Sequence, residues 1–227
     1  MTPDDAVVPL EALLGVYAEL EAMHAWRGWV WRADAAPFEI IVGAILVQNT
    51  AWTNVERALA NLRAAGTLDV EAMRALPREN LEVLIRPSGQ YRQKARKLRA
   101  FLDLVEVQDG LLALLEVPPR RLRELLLGTW GIGPETADCI VLYAARQPSF
   151  VTDAYTKRVF SRLGLGPGEG ATYAAWQTFF KSTLTADARL WAAYHALIVL
   201  HAKHLCRKRA PLCGECTLAA RCTFARL

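Results

Sequence analysis

The sequence predicts an all-α protein built from many short helices. Hydrophobic residues make up 53% of the 227 residues, which is enough for a sizeable core. They recur mostly at intervals of three or four residues, the spacing of one face of a helix. No segment alternates apolar and polar residues between hairpin turns, as a half-exposed strand would. These observations favour helices over a sheet-based fold.

The first half of the chain is predicted to contain helices separated by proline, glycine and one polar break. The first helix follows Pro9, where apolar residues recur at helical spacing: Leu10, Leu13, Leu14, Tyr17 and Leu20. The segment 37–66 is interpreted as two helices that part near Gln48 and end at Gly66. Further helices are predicted over 68–76, 78–85 and 91–106.

The second half continues in the same way. Its predicted helices cover 120–128, 134–145, 152–164, 173–184 and 189–206. The segment 146–151, with the sequence RQPSFV, is the best candidate for a linker between domains, and 164–172 is predicted to be a surface loop.

Charge and hydropathy limit the possible partners. The net charge is +4 and the pI is about 8.9, which only weakly suggests a polyanionic partner. Basic residues are concentrated in 86–99 and 203–209, and each cluster is either a solvated helix face or a set of phosphate contacts. The N-terminus lacks the basic region of a secretory signal, and the longest apolar run, 40–47, is too short to span a bilayer. We expect a soluble cytoplasmic protein with no membrane partner.

Four cysteines lie close together in the C-terminal tail. Cys206, Cys213, Cys216 and Cys222 have the spacing C-x6-C-x2-C-x5-C. Disulfides are rare in cytoplasmic proteins, and converging thiolates need a metal to offset their repulsion. Either a tetrahedral zinc ion or a [4Fe–4S] cluster suits four cysteines, and the spacing alone leaves both open.

A glycine turn opens the predicted helix at 134–145. Gly131 and Gly133 flank Ile132 and permit backbone conformations that other residues rarely adopt. Pro134 suits the first turn of a helix. Outward-facing N–H groups in such a turn form an anion site suited to a DNA phosphate, whereas an ordinary corner between two helices is the alternative.

Taken together, these motifs resemble the endonuclease III family of DNA glycosylases, from about residue 30 to the end. The cysteine spacing resembles that family's [4Fe–4S] loop, the glycine turn resembles its helix–hairpin–helix motif, and Asp153 resembles its essential aspartate. The segment AILVQNT, 44–50, is similar to the part that carries a polar wedge residue. The resemblance implies base-excision repair of a damaged base in double-stranded DNA, with a [4Fe–4S] cofactor.

The resemblance also implies an architecture. It predicts two helical domains flanking a DNA-binding cleft in a protein that we expect to be a monomer. One domain would be a helical bundle over 34–148, with the hairpin motif at about 124–145. The other would combine 1–33 with 149–227 and carry the cluster loop, 206–222. In that loop Arg207 and Lys208 would contact phosphates.

Two polar residues gain roles from the resemblance. Asp153 would stabilise oxocarbenium-like charge as the N-glycosidic bond breaks, although it could also cap the helix that begins there. Gln48 would fill the hole that a flipped-out nucleotide leaves in the base stack, whereas its alternative role is that of a structural amide.

Glu135 is a departure from the endonuclease III pattern. Members of that family that also nick the strand carry a lysine here, which forms a Schiff base with the sugar. A carboxylate cannot form an imine, so Glu135 predicts a monofunctional glycosylase with weak or absent lyase activity. Lys157 is the alternative amine. Glu135 could also simply favour the helix N-terminus.

The damaged base is less sharply indicated. Trp26, Trp29, Trp31 and Trp52 give an aromatic density like that of the 3-methyladenine branch, and tryptophan faces attract cationic alkylated purines. Tryptophans are most often core residues, so these four could equally belong to the core, and oxidised pyrimidines stay open as substrates. Two rival functions are a non-catalytic protein that binds damaged or distorted DNA, and a zinc-containing interaction module.

Overall fold

A computed structural model describes residues 10–24 and 35–226, and within them the all-α prediction is confirmed: no β-strand occurs there. None of the described helices is long and apolar enough to cross a membrane. The α-helices are α1 (Leu10–Met23), α2 (Pro37–Leu46), α3 (Trp52–Ala64), α4 (Val70–Ala75), α5 (Arg78–Leu84), α6 (Tyr91–Val107), α7 (Leu111–Glu116), α8 (Pro119–Leu127), α9 (Pro134–Cys139), α10 (Ala154–Leu163), α11 (Tyr173–Thr183) and α12 (Ala188–His204).

Two details differ from the expected helices. Helix α7, six residues long, lies in a stretch where no helix was predicted. The single helix expected over 134–145 is α9 followed by a π-helical turn, Ile140–Ala144, whose residues are all buried. Such turns interrupt the regular hydrogen-bond ladder and have no simple signal in hydrophobic spacing.

The chain divides into two compact units. One spans Asp34–Ser149, and the other combines Met1–Ala33 with Phe150–Leu227. The division falls between Ser149 and Phe150, within the segment 146–151.

The Asp34–Ser149 unit is built around α2. Residues 38–46 of this helix are all buried, because a helix that is apolar around its whole circumference must lie inside the core. It packs against α3, α6 and α9. After Leu46 the chain turns through Asn49, which has φ +55°, before α3 begins at Trp52. Gln48 lies in this turn.

The second unit has an aromatic core that fixes α10 and α12. Phe150 stacks on Phe180 with ring centres 4.0 Å apart, and Trp191 meets Phe150 edge-on at 5.7 Å. The hydroxyl of Tyr194 on α12 donates to the carbonyl oxygen of Leu13 on α1 at 2.7 Å. This packing places the start of α10 beside α12. The cysteine tail follows α12 as a series of short 3₁₀ turns.

Candidate functional site

A helix–turn–helix hairpin in the Asp34–Ser149 unit carries the glycine motif. Helix α8 ends at Leu127 with Gly128 as its C-cap, and α9 starts after Gly133. Gly131 has φ +83°, a left-handed conformation that favours glycine. The side chain of Ile132 is buried, and its backbone N–H donates to the carbonyl oxygen of Thr129 at 3.1 Å. The hairpin is therefore closed by its own backbone.

The two glycines of the motif have different structural roles. A Cβ atom at Gly131 would lie 2.5 Å from Cγ of Lys97, so the lysine stem packs directly on this glycine. Gly133 has φ −92°, which any residue can adopt, and apart from its two chain neighbours no atom lies within 4 Å of an added Cβ. Both glycines were expected to adopt backbone conformations that other residues rarely adopt, and only Gly131 does so. Gly133 instead leaves open space at the start of α9.

Gln48 is bound to the hairpin. Its amide nitrogen donates to the carbonyl oxygen of Gly131 at 3.3 Å and to Oγ1 of Thr136 at 3.0 Å. Its amide oxygen accepts a hydrogen bond from Nζ of Lys97. The α2–α3 turn, α6 and the hairpin are joined through this one side chain, which is the arrangement expected of a structural amide.

A buried ion pair joins the two helices of the hairpin. The carboxylate of Asp138 on α9 is fully buried and accepts from Nε and Nη2 of Arg123 on α8 at 2.8 and 3.1 Å. Ser149 also donates to this carboxylate. Sequence inspection did not single out this pair, although an acid within an apolar helix was a signal that could have identified it.

Glu135 is exposed in the first turn of α9. A negative charge there interacts well with the helix dipole, so the position is compatible with its capping role. The other amine considered, Lys157 on α10, donates from Nζ to the carbonyl oxygen of Ala171 at 3.3 Å.

Asp153 is the N-cap of α10 in the second unit. Its Oδ1 accepts from the N–H of Thr156 at 2.8 Å and from Oγ1 of Thr156 at 3.0 Å. Its Oδ2 lies 3.6 Å from Nε2 of His195 on α12. Burial alone would raise the pKa of Asp153, but the His195 ring and the Thr156 bonds outweigh it and hold that pKa below its ordinary value. Asp153 therefore caps α10 and at the same time supplies a charged, mostly buried carboxylate.

His195 was not identified as a candidate site residue from the sequence. It is a polar residue within the apolar stretch of α12, and this contrast was the available signal. Its contact with Asp153 joins residues that are far apart in the chain, which spacing within one helix cannot reveal.

The four tail cysteines line a single apolar pocket, together with His201 and several leucines. Burial raises the pKa of the Cys216 thiol, and the other three cysteines raise it further against an opposing backbone hydrogen bond from Leu218. Nη1 of Arg162 lies 3.3 Å from Sγ of Cys206. Four soft thiol donors at one pocket, with a cation beside them, fit a thiolate-bound metal group. Within the described residues, no set of three or more His, Cys, Asp or Glu side chains is arranged to hold a single metal ion.

The loop after Cys206 is held by arginines of α10. Arg162 donates to the carbonyl oxygens of Arg207 and Lys208 at 2.8 and 3.2 Å, and Arg158 donates to that of Cys206 at 3.0 Å. The side chains of Arg207 and Lys208 are exposed. The loop thus fixes its backbone while presenting two cations to solvent.

The tryptophans give little information about a base pocket. Trp26, Trp29 and Trp31 lie outside the described residues. Trp52 on α3 packs against α2 at Gly43, where an added Cβ would lie 3.3 Å from its ring.

Residues 42–182 match the family model described as "HhH-GPD superfamily base excision DNA repair protein". The match covers more than half of the chain and includes Gln48, the hairpin and Asp153. The chain belongs to the HhH-GPD superfamily. The resemblance to endonuclease III-like glycosylases is confirmed, and this HhH-GPD protein is a base-excision-repair DNA glycosylase. The matched region ends before the cysteine tail.

Named relatives of this HhH-GPD protein match it over most of their length. The chain is 40% identical over 215 residues to the "Putative DNA repair glycosylase MJ1434" of Methanocaldococcus jannaschii, covering 93% of this chain and 96% of the relative. It is 29% identical over 199 residues to endonuclease III of Thermotoga maritima, covering 85% of each chain.

Solved structures agree in fold. H. pylori 3-methyladenine DNA glycosylase (MagIII) bound to 1,N6-ethenoadenine aligns with a TM-score of 0.72 and 28% identity, over 86% of this chain and 98% of that one. A non-covalent endonuclease III–DNA complex aligns with a TM-score of 0.77 and 22% identity, over 94% and 96%.

Proposed function

We propose that this HhH-GPD protein is a monofunctional glycosylase that removes alkylated purines from duplex DNA by hydrolysis and leaves the strand intact. The observation that carries this proposal is Glu135, exposed at the start of α9. Strand-nicking relatives of the endonuclease III type are expected to carry a lysine at this position. Glu135 has no amine, and Lys157 donates its own to the backbone of Ala171. Without an amine nucleophile, water must attack the sugar from which the base departs.

Asp153 supplies the negative charge for bond cleavage. Its pKa lies below the ordinary value, so the carboxylate is ionised at neutral pH. Since Oδ1 is bound by Thr156, Oδ2 is the oxygen that can face a reacting sugar. A fixed carboxylate in a mostly dry environment stabilises the positive charge that develops on the sugar as the base departs. A lowered pKa suits this electrostatic role better than that of a strong general base.

Duplex DNA would be bound without regard to sequence. Open space at Gly133 allows a phosphate to approach the start of α9, next to Gly131 and Ile132 in the turn. Arg207 and Lys208 offer exposed cations in the second unit. Gln48 could serve as a wedge only by exchanging its bonds to the hairpin for contacts with bases. We propose that the protein acts as a monomer.

Alkylated purines are the favoured substrate class. MagIII, a 3-methyladenine glycosylase, is 28% identical and is matched over nearly its whole length. Cationic alkylated bases are attracted to tryptophan faces, and this chain is rich in tryptophan. Oxidised pyrimidines are the second class, because the endonuclease III relatives are also similar.

A [4Fe–4S] cluster is proposed for the tail. Cys206, Cys213, Cys216 and Cys222 would hold it, since they already line one pocket. When bound, the cluster would supply a structural cross-link of the tail. Arg162 would lie beside one of its thiolates and would also hold the backbone that carries Arg207 and Lys208.

The test is base release from duplex oligonucleotides that carry either a single alkylated purine or a single oxidised pyrimidine. Products are resolved with and without alkali, for the wild type, Asp153→Asn and a control, Asp187→Asn. Asp187 is the N-cap of α12, and its Oδ1 accepts from the N–H groups of Arg189 and Leu190, so Asp187→Asn controls for replacing a capping carboxylate with an amide. We expect strand breaks only after alkali, product from the alkylated purine, and loss of turnover in Asp153→Asn alone.

Other outcomes would change the assignment. Strand cleavage without alkali would contradict the inference from Glu135, and Lys157→Ala would then identify the amine. Tight binding with no product on any lesion would favour a non-catalytic DNA-binding role.

A further inference from the structure

An arginine and a tryptophan form a stacked pair beside the hairpin. Trp130 lies in the turn between α8 and α9 and is 42% exposed, although it is a large aromatic side chain. The guanidinium carbon of Arg96, on α6, lies 3.8 Å from the centre of a Trp130 ring. This is a close stacking distance, so the tryptophan face supports the guanidinium plane.

Arg96 keeps its hydrogen-bonding capacity in this arrangement. Stacking covers the face of a guanidinium, whereas its five N–H donors point outward in the plane. Arg96 is exposed, and within the described part of the chain no carboxylate forms an ion pair with it. By contrast, Arg78 on α5 is paired with Glu82 at 2.8 Å, and Arg123 is paired with Asp138. Trp130 therefore holds the Arg96 side chain in place, and among the described residues no acidic side chain pairs with it.

The neighbouring lysine connects the pair to the rest of the hairpin. The stem of Lys97 packs on Gly131, and its amine donates to Gln48. Burial lowers the pKa of Lys97, because water solvates its partly buried amine less well than an exposed one. Arg96 is exposed and presents a planar fork of N–H donors, so it is the better anion-binding group of the two.

We propose that Arg96, supported by Trp130, binds a backbone phosphate of duplex DNA outside the hairpin turn itself. The guanidinium edge matches two phosphate oxygens, and the tryptophan reduces the side-chain freedom that binding would otherwise remove. The proposal rests on the proposed function in requiring duplex DNA as the ligand. It adds α6 to the DNA-binding surface of this unit.

The experiment measures the dissociation constant for a duplex with a non-cleavable abasic-site analogue, as a function of KCl concentration. The variants are Arg96→Gln, Arg96→Lys, Trp130→Leu and the double variant Arg96→Gln/Trp130→Leu, with Arg78→Gln as control. The control removes the same charge from an exposed residue of the same unit. Thermal melts show that each variant is folded.

For Arg96→Gln, we expect about tenfold weaker binding and a salt slope reduced by roughly 0.9, the value of one lost phosphate contact. Arg96→Lys should keep the slope and bind with intermediate affinity. Trp130→Leu should weaken binding severalfold in the wild type and have little effect when Arg96 is already glutamine, because the two residues act as a pair.

Equal salt slopes for Arg96→Gln and Arg78→Gln would overturn the proposal, as would fully additive effects of the two substitutions. Base release by the wild type is measured in parallel. An active enzyme with an unchanged slope in Arg96→Gln would refute the phosphate site alone. A wild type that releases no base but shows the slope change would refute the proposed hydrolysis alone.

Discussion

At the scale of single residues, the catalytic role proposed for the Asp153 carboxylate predicts how the reaction depends on pH. Burial alone would raise its pKa, but the His195 ring and the Thr156 bonds together lower it. Replacing His195 with alanine removes one lowering influence, so the pKa of Asp153 rises. Because the carboxylate must be ionised to act, the acid limb of the rate profile should move to higher pH. The rate near pH 7.5 should fall by about threefold or less, a change of under 1 kcal/mol in the barrier.

The measurement is single-turnover base release between about pH 3 and pH 8, because the wild-type acid limb lies below the ordinary pKa of an aspartate. His195→Gln, which keeps an N–H donor, should shift the acid limb less than His195→Ala. His204→Ala is the control, since His204 is an exposed histidine on the same helix. An acid limb that stays in place in both His195 variants would show that the ring has no influence on Asp153.

What the sequence reveals at this scale depends on distance along the chain. The positions of Asp153 and Glu135 at helix starts were predictable, because helix starts have local signals. The partners His195 and Lys97 were not predictable, because their contacts depend on how separate helices pack. Gln48 was found from its polar break, but its bonds to the hairpin were not.

At the scale of elements, the two hairpin glycines should respond differently to alanine. Gly131→Ala forces a side chain onto a φ of +83° and into the stem of Lys97. We expect the free energy of unfolding to fall by about 1–2 kcal/mol. Gly133→Ala has an ordinary φ and open space, so its unfolding free energy should be unchanged or slightly higher. Its DNA binding should still weaken about tenfold, because the new methyl group occupies the approach of a phosphate.

Urea unfolding and binding to the abasic-site duplex measure the two effects separately. The pair acts as its own control, because each variant adds one methyl group within the same turn. Normal DNA affinity in Gly133→Ala would show that no phosphate approaches this end of α9.

Most helices were predictable because proline or glycine lies at their boundaries. Prolines precede or begin α2, α5, α8 and α9, and Gly164 ends α10 with a positive φ. Helix α7 was missed because LLALLE has almost no polar face, so its periodicity is weak. The π-helical turn after α9 was missed because apolar spacing does not report the hydrogen-bond register.

At the scale of the whole molecule, the cysteine tail has little core of its own. Between Cys206 and Arg226 only Leu218 is fully buried. Segments that bury so little apolar surface usually need a disulfide or a metal group to stay ordered. Arg162 and Arg158 hold the start of the tail, and Arg221 pairs with Glu19 of α1 at 2.8 Å. Mostly exposed contacts of this kind contribute little on their own.

We therefore expect the order of the tail to depend on the proposed metal group. Protein purified without oxygen should be brown, absorb into the visible range and contain about four iron atoms per chain. Cys216→Ser should lose the colour, become cleavable by protease beyond α12, and bind DNA more weakly because Arg207 and Lys208 are no longer held. Cys139→Ser, which alters the cysteine outside the tail, should retain colour and protease resistance. Colourless protein with one zinc per chain would indicate a tetrahedral zinc site in place of the cluster. A metal-free tail that resists protease would show that the tail needs no metal to stay ordered.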